Sequence, residues 1–379
     1  MPDGFFSDLI GWSIPSFDTL TLRTILFVVV GAIHAFLLTT FVGNAFYLRK
    51  WSRIGAFDTP LPSLSVLIPA RNEERNLERL IPSLLAQDYP DAQFVLYDDG
   101  STDGTSDVIA RFSGDERLLH LTGDGPAPGW VGKVHALYQA THHATGERYL
   151  FLDADTDLRG PGALQRVVRR HEQLPGPAVL TGLTGLARGG GKLLVSLVPH
   201  AILIGLPWFL VRHFRMRALG ALNGQCWLIR SDLYHEQEPH LNHKAEVLED
   251  VRIGRSLRMA GIVPYMADVQ DSIDVFMYTD FADAWAGFRK NAYLILGGSP
   301  IGFAFLWPYF LLTFVFAPLL GWPLVVTTFL LKLTTDRWCR YPWWMTLVAP
   351  ISYALGALLN LDSALAHWRG DVQWKGRRV

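Results

Sequence analysis

A chain of 379 residues is long enough for two or three domains, and 34 basic against 35 acidic residues leave a formal net charge of −1. That balance excludes a nucleic-acid partner held by bulk electrostatics. Half of the residues are hydrophobic and only 18% are charged, a bias that points to membrane segments, and the two cysteines, Cys226 and Cys339, give neither a disulfide framework nor a metal-ligand spacing and fit a reducing cytoplasmic face.

From Thr24 to Leu48 the chain is almost wholly apolar, interrupted by His34 and Asn44, and long enough for one membrane-spanning helix. Asp3, Asp8, Asp18 and Arg23 precede it and Arg49, Lys50 and Arg53 come after it, so the positive-inside bias places the segment beyond Leu48 in the cytoplasm. His34 reads as a histidine satisfied by a neighbouring helix. Residues 1–60 are therefore expected to be an N-terminal anchor, with its span at about 24–48.

Pro60-Leu61-Pro62 is a stiff linker into a buried strand, Leu64 to Pro69. Arg71-Asn72-Glu73-Glu74 then leads into an amphipathic helix with Leu77, Leu80, Ile81, Leu84 and Leu85 on one face and Pro82 as a candidate kink. Asn72 to Glu74 read equally as a helix start with favourable acids or as a turn that holds a nucleotide base. A second strand, Phe94 to Tyr97, ends in Asp98-Asp99-Gly100-Ser101-Thr102-Asp103-Gly104, either a polar turn or an acidic edge of a binding crevice. A short strand near Leu118 to Leu121 comes next. Then Pro128-Gly129-Trp130-Val131-Gly132-Lys133 opens a helix through Ala136, Leu137 and Ala140, and a lysine at such a start can hold a phosphate, although the P-loop spacing is absent.

Tyr149 to Leu152 is a buried parallel strand that stops at Asp153-Ala154-Asp155. In an open α/β sheet ligands bind beyond the C-terminal strand ends, and two carboxylates there offer hard oxygens to Mg²⁺ or Mn²⁺ shared with a ligand's phosphates. Strands and helices alternate with acids at strand ends, which predicts a doubly wound, mostly parallel α/β domain that binds a nucleotide phosphate with metal help.

Pro69-Ala70-Arg71-Asn72-Glu73-Glu74, Asp98-Asp99-Gly100-Ser101-Thr102-Asp103, Asp153-Ala154-Asp155 and Glu249-Asp250, in that order, resemble the family 2 inverting glycosyltransferases of GT-A fold, over Leu61 to Asn291. The resemblance implies that Pro69, Ala70, Arg71, Asn72 and Glu73, with Asp98 and Asp99, hold the uridine of a UDP-sugar. It implies that Asp155 ligates the metal on the diphosphate, that Asp153 supports the ribose or the metal, and that Asp250, beside Glu249, is the general base. Gly129 to Lys133 and the closing Trp374-Lys375-Gly376-Arg377 are similar to a membrane branch that glucosylates carotenoids and hopanoid-type lipids, the chlorobactene glucosyltransferases in particular. Processive synthases of the family carry a Gln-x-x-Arg-Trp motif; here the region reads Ala286-Gly287-Phe288-Arg289-Lys290-Asn291, which argues against a polymerase and leaves Arg289 or Lys290 as a cation for the diphosphate.

Ala178 to Leu186 reads as a strand. Leu193 to Val211 is apolar over a span's length, but a single crossing would separate Asp155 from Asp250, so the expectation is a helix in the cytoplasmic interface, broken at Pro199 and Pro207, with a buried core helix as the alternative. Asn223-Gly224-Gln225-Cys226 opens another strand and resembles the family's acceptor-side loop. His235, His240 and His243 fit no helical ligand pair and read as a solvated loop. Glu249-Asp250 starts a helix that ends at Gly261, where a carboxylate can accept an acceptor hydroxyl's proton. Ile301 to Leu331 is one tilted span or a hairpin turning at Gly321-Trp322-Pro323, and Trp343 to Leu361 a further span edged by tryptophans. The expected organisation is thus an anchor over 1–60, a cytoplasmic catalytic domain over 61–291 and C-terminal membrane helices with a basic tail over 292–379.

The expected function is transfer of a hexose, glucose in the leading reading, from a UDP-sugar to a hydroxyl of a carotenoid or related terpenoid, by a multi-pass protein of the inner membrane whose partners are the bilayer and other lipid-pathway enzymes. The alternatives are a hopanoid, sphingolipid, diacylglycerol or polyprenyl phosphate acceptor, or a non-catalytic membrane protein that binds sugar nucleotides.

Overall fold

The computed structural model describes residues 19–55, 59–374 and 377–378. Asp3, Asp8, Asp18, Lys375 and Gly376 lie outside the described residues, as do the side chains of Trp374 and Arg377. The strands are β1 (Leu64–Ala70), β2 (Ala92–Asp98), β3 (Leu118–Thr122), β4 (Arg148–Leu152), β5 (Thr156–Leu158), β6 (Ala178–Leu183), β7 (Cys226–Arg230), β8 (Val263–Asp268) and β9 (Ile273–Val275). The helices of the sheet region are α1 (Thr19–Trp51), which precedes it, then α2 (Glu74–Leu85), α3 (Thr105–Ala110), α4 (Gly132–Thr141), α5 (Ala163–Glu172), α6 (Lys192–Val195), α7 (Leu197–Gly205), α8 (Ser231–Gln237), α9 (Pro239–Asn242) and α10 (Glu249–Ala260). The C-terminal part holds α11 (Phe281–Arg289), α12 (Ala292–Ile295), α13 (Pro300–Phe310), α14 (Ala317–Leu320), α15 (Trp322–Trp338), α16 (Trp344–Leu347) and α17 (Ala349–Arg369).

A seven-stranded sheet runs β3-β2-β1-β4-β7-β6-β8. The first four strands are parallel, β7 is antiparallel to both of its neighbours, and β6 pairs β8 in parallel. The sheet is therefore mixed rather than a plain doubly wound one, because β7 returns directly beside β4. Successive strand residues face opposite layers. Leu64, Val66 and Ile68 of β1 and Leu150 and Leu152 of β4 pack with Leu77, Leu80, Leu84, Val167 and Val168 of α2 and α5. Leu67 and Phe151 face the other way, onto Leu137 and Ala140 of α4 and Ile253 and Leu257 of α10. Pro82 stays inside an unbroken α2. Strand order reverses direction at β1 and β4, the place where open α/β sheets leave a crevice.

His235 and His240 are not on a solvated loop. They ride on α8 and α9, where His240 is fully buried against Phe151, Trp227 and Tyr234 and shares a 2.8 Å hydrogen bond with the Tyr234 hydroxyl. The aromatic cluster over β4 and β7 buries a ring that sequence spacing had left in solvent.

Among the described residues two helical stretches, Leu20–Trp51 and Pro300–Leu320, are long and apolar enough to cross a membrane. Gly321, in extended conformation, ends the second and starts α15, forming a hairpin. His34 of α1 contacts both legs: Nδ1 lies 2.6 Å from Thr327 Oγ1 and Nε2 2.8 Å from the Thr313 carbonyl. Residues 311–316 are in π register, which would direct that carbonyl to residue 318; Pro318 has no N–H, and the His34 ring takes its place. Stretch 193–211 breaks at Leu206-Pro207 as expected but at Ser196 rather than Pro199, which sits in the first turn of α7 where a proline costs no hydrogen bond. Pro207 cannot donate to the Leu203 carbonyl, and Asn44 Nδ2 donates there instead at 2.7 Å, and to Leu206 at 2.7 Å. The stretch is thus packed under α1, with Leu203 and Ile204 buried.

Candidate active site

The register of β4 against β7 sets the centre of the site. Leu152 pairs with Cys226, so Asp153 lies beside the Asn223-Gly224-Gln225 loop, and the Asp153 amide reaches the Gln225 carbonyl at 3.4 Å. Lys133, in the first turn of α4, points its ammonium into this corner. Nζ lies 2.6 Å from Asp153 Oδ1 and 3.4 Å from Glu249 Oε1. Glu249 and Asp250 occupy the first turn of α10, where the helix N-terminus favours negative charge. Asp250 Oδ2 accepts from the Gly224 amide at 2.9 Å and Oδ1 from the Val251 amide at 2.8 Å. Gly224 is needed for the close approach: a Cβ on it would lie 3.0 Å from Asp250 Oδ2 and 3.2 Å from Lys133 Nζ.

The charges in this corner control one another. Burial opposes the Lys133 ammonium, but Asp153, Glu249 and Asp250 outweigh it and raise its pKa. Burial raises the carboxyls of Glu249 and Asp250 above their ordinary range, with Lys133 pulling both back. Lys290, just past α11, faces the same acids; burial lowers its pKa to about 8, against the attraction of Glu249. Arg289, one residue earlier, points elsewhere. Its guanidinium pairs with Asp362 of α17 at 3.2 Å, so of the two candidate cations Lys290 is the one in the corner.

The first part of the edge is laced together. Pro69 and Ala70 end β1 opposite Tyr97 and Asp98. Arg71 Nη1 donates to the carbonyls of Asp99 and Gly100 at 2.6 and 2.9 Å. Asn72, in left-handed conformation at φ 52°, accepts from the Thr102 amide at 2.8 Å. The Glu73 amide donates to Thr105 Oγ1 at 2.8 Å, and its carboxylate accepts from Asn76 at 2.6 Å. Asp98 is buried and closes its own turn through Ser101 and Ser106. Asp99 is equally buried and adds to burial in raising the pKa of Tyr97.

Asp155 sits in the β4–β5 turn, its carbonyl accepting from the Phe276 amide at 2.8 Å and its charge beside Tyr278, which packs on Gly287 of α11. Among the described residues no three His, Cys, Asp or Glu side chains form a cage for a cation. Asp153 and Asp155 nonetheless fit a divalent ion of the kind that takes one or two carboxylates and completes its shell with phosphate and water oxygens. Lys133 already neutralises one Asp153 oxygen, which leaves Asp155 as the better donor. Sequence reasoning placed Gly224 in a loop before a strand but missed its contact with Asp250; a glycine two residues ahead of a strand of bulky residues was the available signal.

Residues 65–236 match the model of glycosyl transferase family 2. The chain is 34% identical over 110 residues to a 4,4'-diaponeurosporenoate glycosyltransferase of Staphylococcus aureus (strain bovine RF122 / ET3-1). It is 35% identical over 109 residues to the protein of the same name from Staphylococcus haemolyticus (strain JCSC1435). Each match covers 29% of this chain and 28% of the relative, so the aligned chain spans less than a third of the curated relatives' length. The mannosyltransferase PcManGT from Pyrobaculum calidifontis, solved in complex with GDP-Man and Mn2+, superposes with a TM-score of 0.51 at 17% identity, covering 90% of this chain and 99% of that one, a likeness of fold.

Proposed function

We propose, from the match of residues 65–236 to glycosyl transferase family 2, that the chain is an inverting hexosyltransferase that moves glucose from UDP-glucose to a hydroxyl of a carotenoid-type terpenoid dissolved in the membrane. The observation that carries the reading is the Lys133 corner, where acids from β4 and from α10, far apart in the chain, meet one ammonium at 2.6 and 3.4 Å at the sheet's C-terminal edge. Asp250, raised by burial and oriented by the Gly224 amide, accepts the acceptor hydroxyl's proton at Oδ2 as that oxygen attacks the anomeric carbon. Lys133 and Lys290 offset charge on the departing diphosphate, and the laced β1 and β2 loops receive the uridine. Asp155, with Asp153 behind it, would hold a Mg²⁺ or Mn²⁺ ion, which when bound supplies Lewis-acid stabilisation of the leaving diphosphate.

The named relatives favour a carotenoid-type acceptor; the acceptor in their names is a carboxylate, and the hydroxyl is this reading's own step. The apolar helix α1 and the α13–α15 hairpin fit an inner-membrane protein with its catalytic domain in the cytoplasm. Both ends of that hairpin lie on the catalytic side, since Arg23 and Phe27, near the start of α1, meet its turn at Leu320 and Gly321. The test is Asp250→Asn in membranes supplied with UDP-glucose and a hydroxylated carotenoid, with the product followed by mass spectrometry. Transfer is expected to be lost and UDP binding kept. A fully active variant excludes Asp250 as the base and points to an acceptor, such as a polyprenyl phosphate, that needs none.

A further inference from the structure

α1 and α15 run side by side in the same direction. Gly31 faces Leu324, His34 faces Thr327, and the Arg49 guanidinium lies over the Trp338 ring at 5.8 Å. Their C-terminal ends therefore reach the catalytic domain together, and between them opens a cleft of about 320 Å³. Its walls carry Arg49 from α1, Arg53 two residues past its end, Arg340 just past α15, and Arg170 of α5, with Asp268 and Asp271 the acids among its lining residues.

The acids are already committed. Arg170, itself buried, holds Asp271 at 2.5 Å and donates to the Ser52 carbonyl at 2.8 Å. Asp268 Oδ1 accepts from the Gln270 amide and side chain, each at 3.1 Å, and burial raises its pKa. Among the described residues no carboxylate lies within 4.0 Å of the Arg49, Arg53 or Arg340 guanidinium, and Asp268 attracts Arg340 only from farther off. Arg340 is the left-handed residue, at φ 59°, that closes the C-terminal end of α15. The Tyr341 amide, bonded to the Asp336 carbonyl at 2.9 Å, fixes that reversal and with it the place of Arg340 at the mouth of the cleft.

We propose that this cleft binds the phosphate headgroup of an anionic membrane lipid. The chemistry is that of guanidinium groups, which suit phosphate oxygens and tolerate partial desolvation. A lipid rather than a free phosphate is favoured by the place. Leu48 and Trp338 line the cleft next to the arginines, and the apolar face of α1, with Phe36 and Phe46 more than three-fifths exposed, continues from it. An acyl chain can follow that face while its phosphate rests among the arginines, as basic pockets beside membrane helices allow. The site is separate from the Lys133 corner and rests on the membrane placement of α1.

The test uses the full-length protein in nanodiscs of phosphatidylcholine, with fluorescent phosphatidylglycerol as the probe. Arg49→Gln/Arg340→Gln is expected to weaken probe binding about 30-fold, at about fivefold per removed charge near the bilayer. Arg75→Gln/Arg111→Gln, equal in charge and remote from the cleft, should leave binding unchanged. Wild-type affinity in the first variant, or equal loss in both, overturns the proposal. Displacement of the probe by millimolar inorganic phosphate reassigns the cleft to a soluble anion and overturns it as well. Release of the wild-type protein from membranes by alkaline carbonate would instead overturn the membrane placement, and the lipid site with it.

Discussion

Gly224→Ala tests the geometry of the proposed base without touching an ionisable group. The added Cβ would stand 3.0 Å from Asp250 Oδ2 and 3.2 Å from Lys133 Nζ, where ordinary contact begins at 3.4 Å. Lys133 can yield cheaply, because its ammonium ends a flexible stem. Asp250 cannot, because its short side chain is tied at Oδ1 to the Val251 amide and at Oδ2 to the Gly224 amide itself. The carboxylate must move by a few tenths of an ångström. A misplacement of about 1 Å costs about 100-fold in rate, so the smaller shift is expected to lower kcat about tenfold. KM for the sugar nucleotide should change little, since the β1 and β2 loops are untouched. Gly162→Ala, whose Cβ meets only the end of the Arg166 side chain at 3.2 Å, is the matched control. Initial rates of lipid glycosylation by the two variants decide the matter: wild-type kcat in Gly224→Ala would mean that Asp250 does not work from this position.

Lys133→Met removes the cation that restrains Glu249 and Asp250, so their pKa values rise further and the acid limb of the kcat/KM profile should move to higher pH by about 1 to 3 units. Glu172 makes a pH prediction for stability. Burial pushes its carboxyl up, but His171 and Arg148, the latter bonded at 2.7 and 2.9 Å, bring it down from 4.5 to about 2. A pKa lowered on folding gives stability that is full above pH 4.5 and lost as pH falls towards 2, up to about 3 kcal/mol, and Glu172→Gln should flatten the dependence of Tm on pH in that window. Asn44→Leu deprives the Leu203 carbonyl of its donor beside Pro207 and should lower stability by about 1–3 kcal/mol, read as Tm of the detergent-solubilised chain.

What was legible in the sequence was whatever a local pattern determines. The apolar runs gave β1, β2 and β4 because a buried parallel strand needs an unbroken one, and the acids at their ends marked the edge of the sheet. His34 read correctly as a satisfied histidine. Pairing between distant segments was not legible. Nothing in Cys226 to Arg230 says that β7 runs antiparallel beside β4, yet that register brings Gly224 to Asp153 and so builds the corner. His240 looked solvated because its neighbours in sequence are polar, whereas its neighbours in space are aromatic. The choice between Arg289 and Lys290 was open for the same reason: adjacent residues at the end of one helix diverge, and only the position of Asp362 on α17 shows which way each goes.

That divergence bears on how the two halves of the molecule cooperate. α11 is held from one side by α17: Trp285 Nε1 donates to Asp362 Oδ2 at 2.8 Å, Arg289 Nε reaches Oδ1 at 3.2 Å, and the Ser363 hydroxyl donates to the Arg289 carbonyl at 2.6 Å. From the other side it supplies Gly287 to Tyr278, next to Asp155, and is followed by Lys290 beside Glu249. A shift of α17 along the bundle would therefore be transmitted, through a few short bonds, to Tyr278 beside Asp155 and to Lys290 beside Glu249. On the proposed function, a terpenoid acceptor would arrive from the side of the apolar helices and a sugar nucleotide from the sheet edge. α11 is the element that joins the α17 bundle to the Lys133 corner, and its anchoring to α17 helps to fix Lys290 beside Glu249.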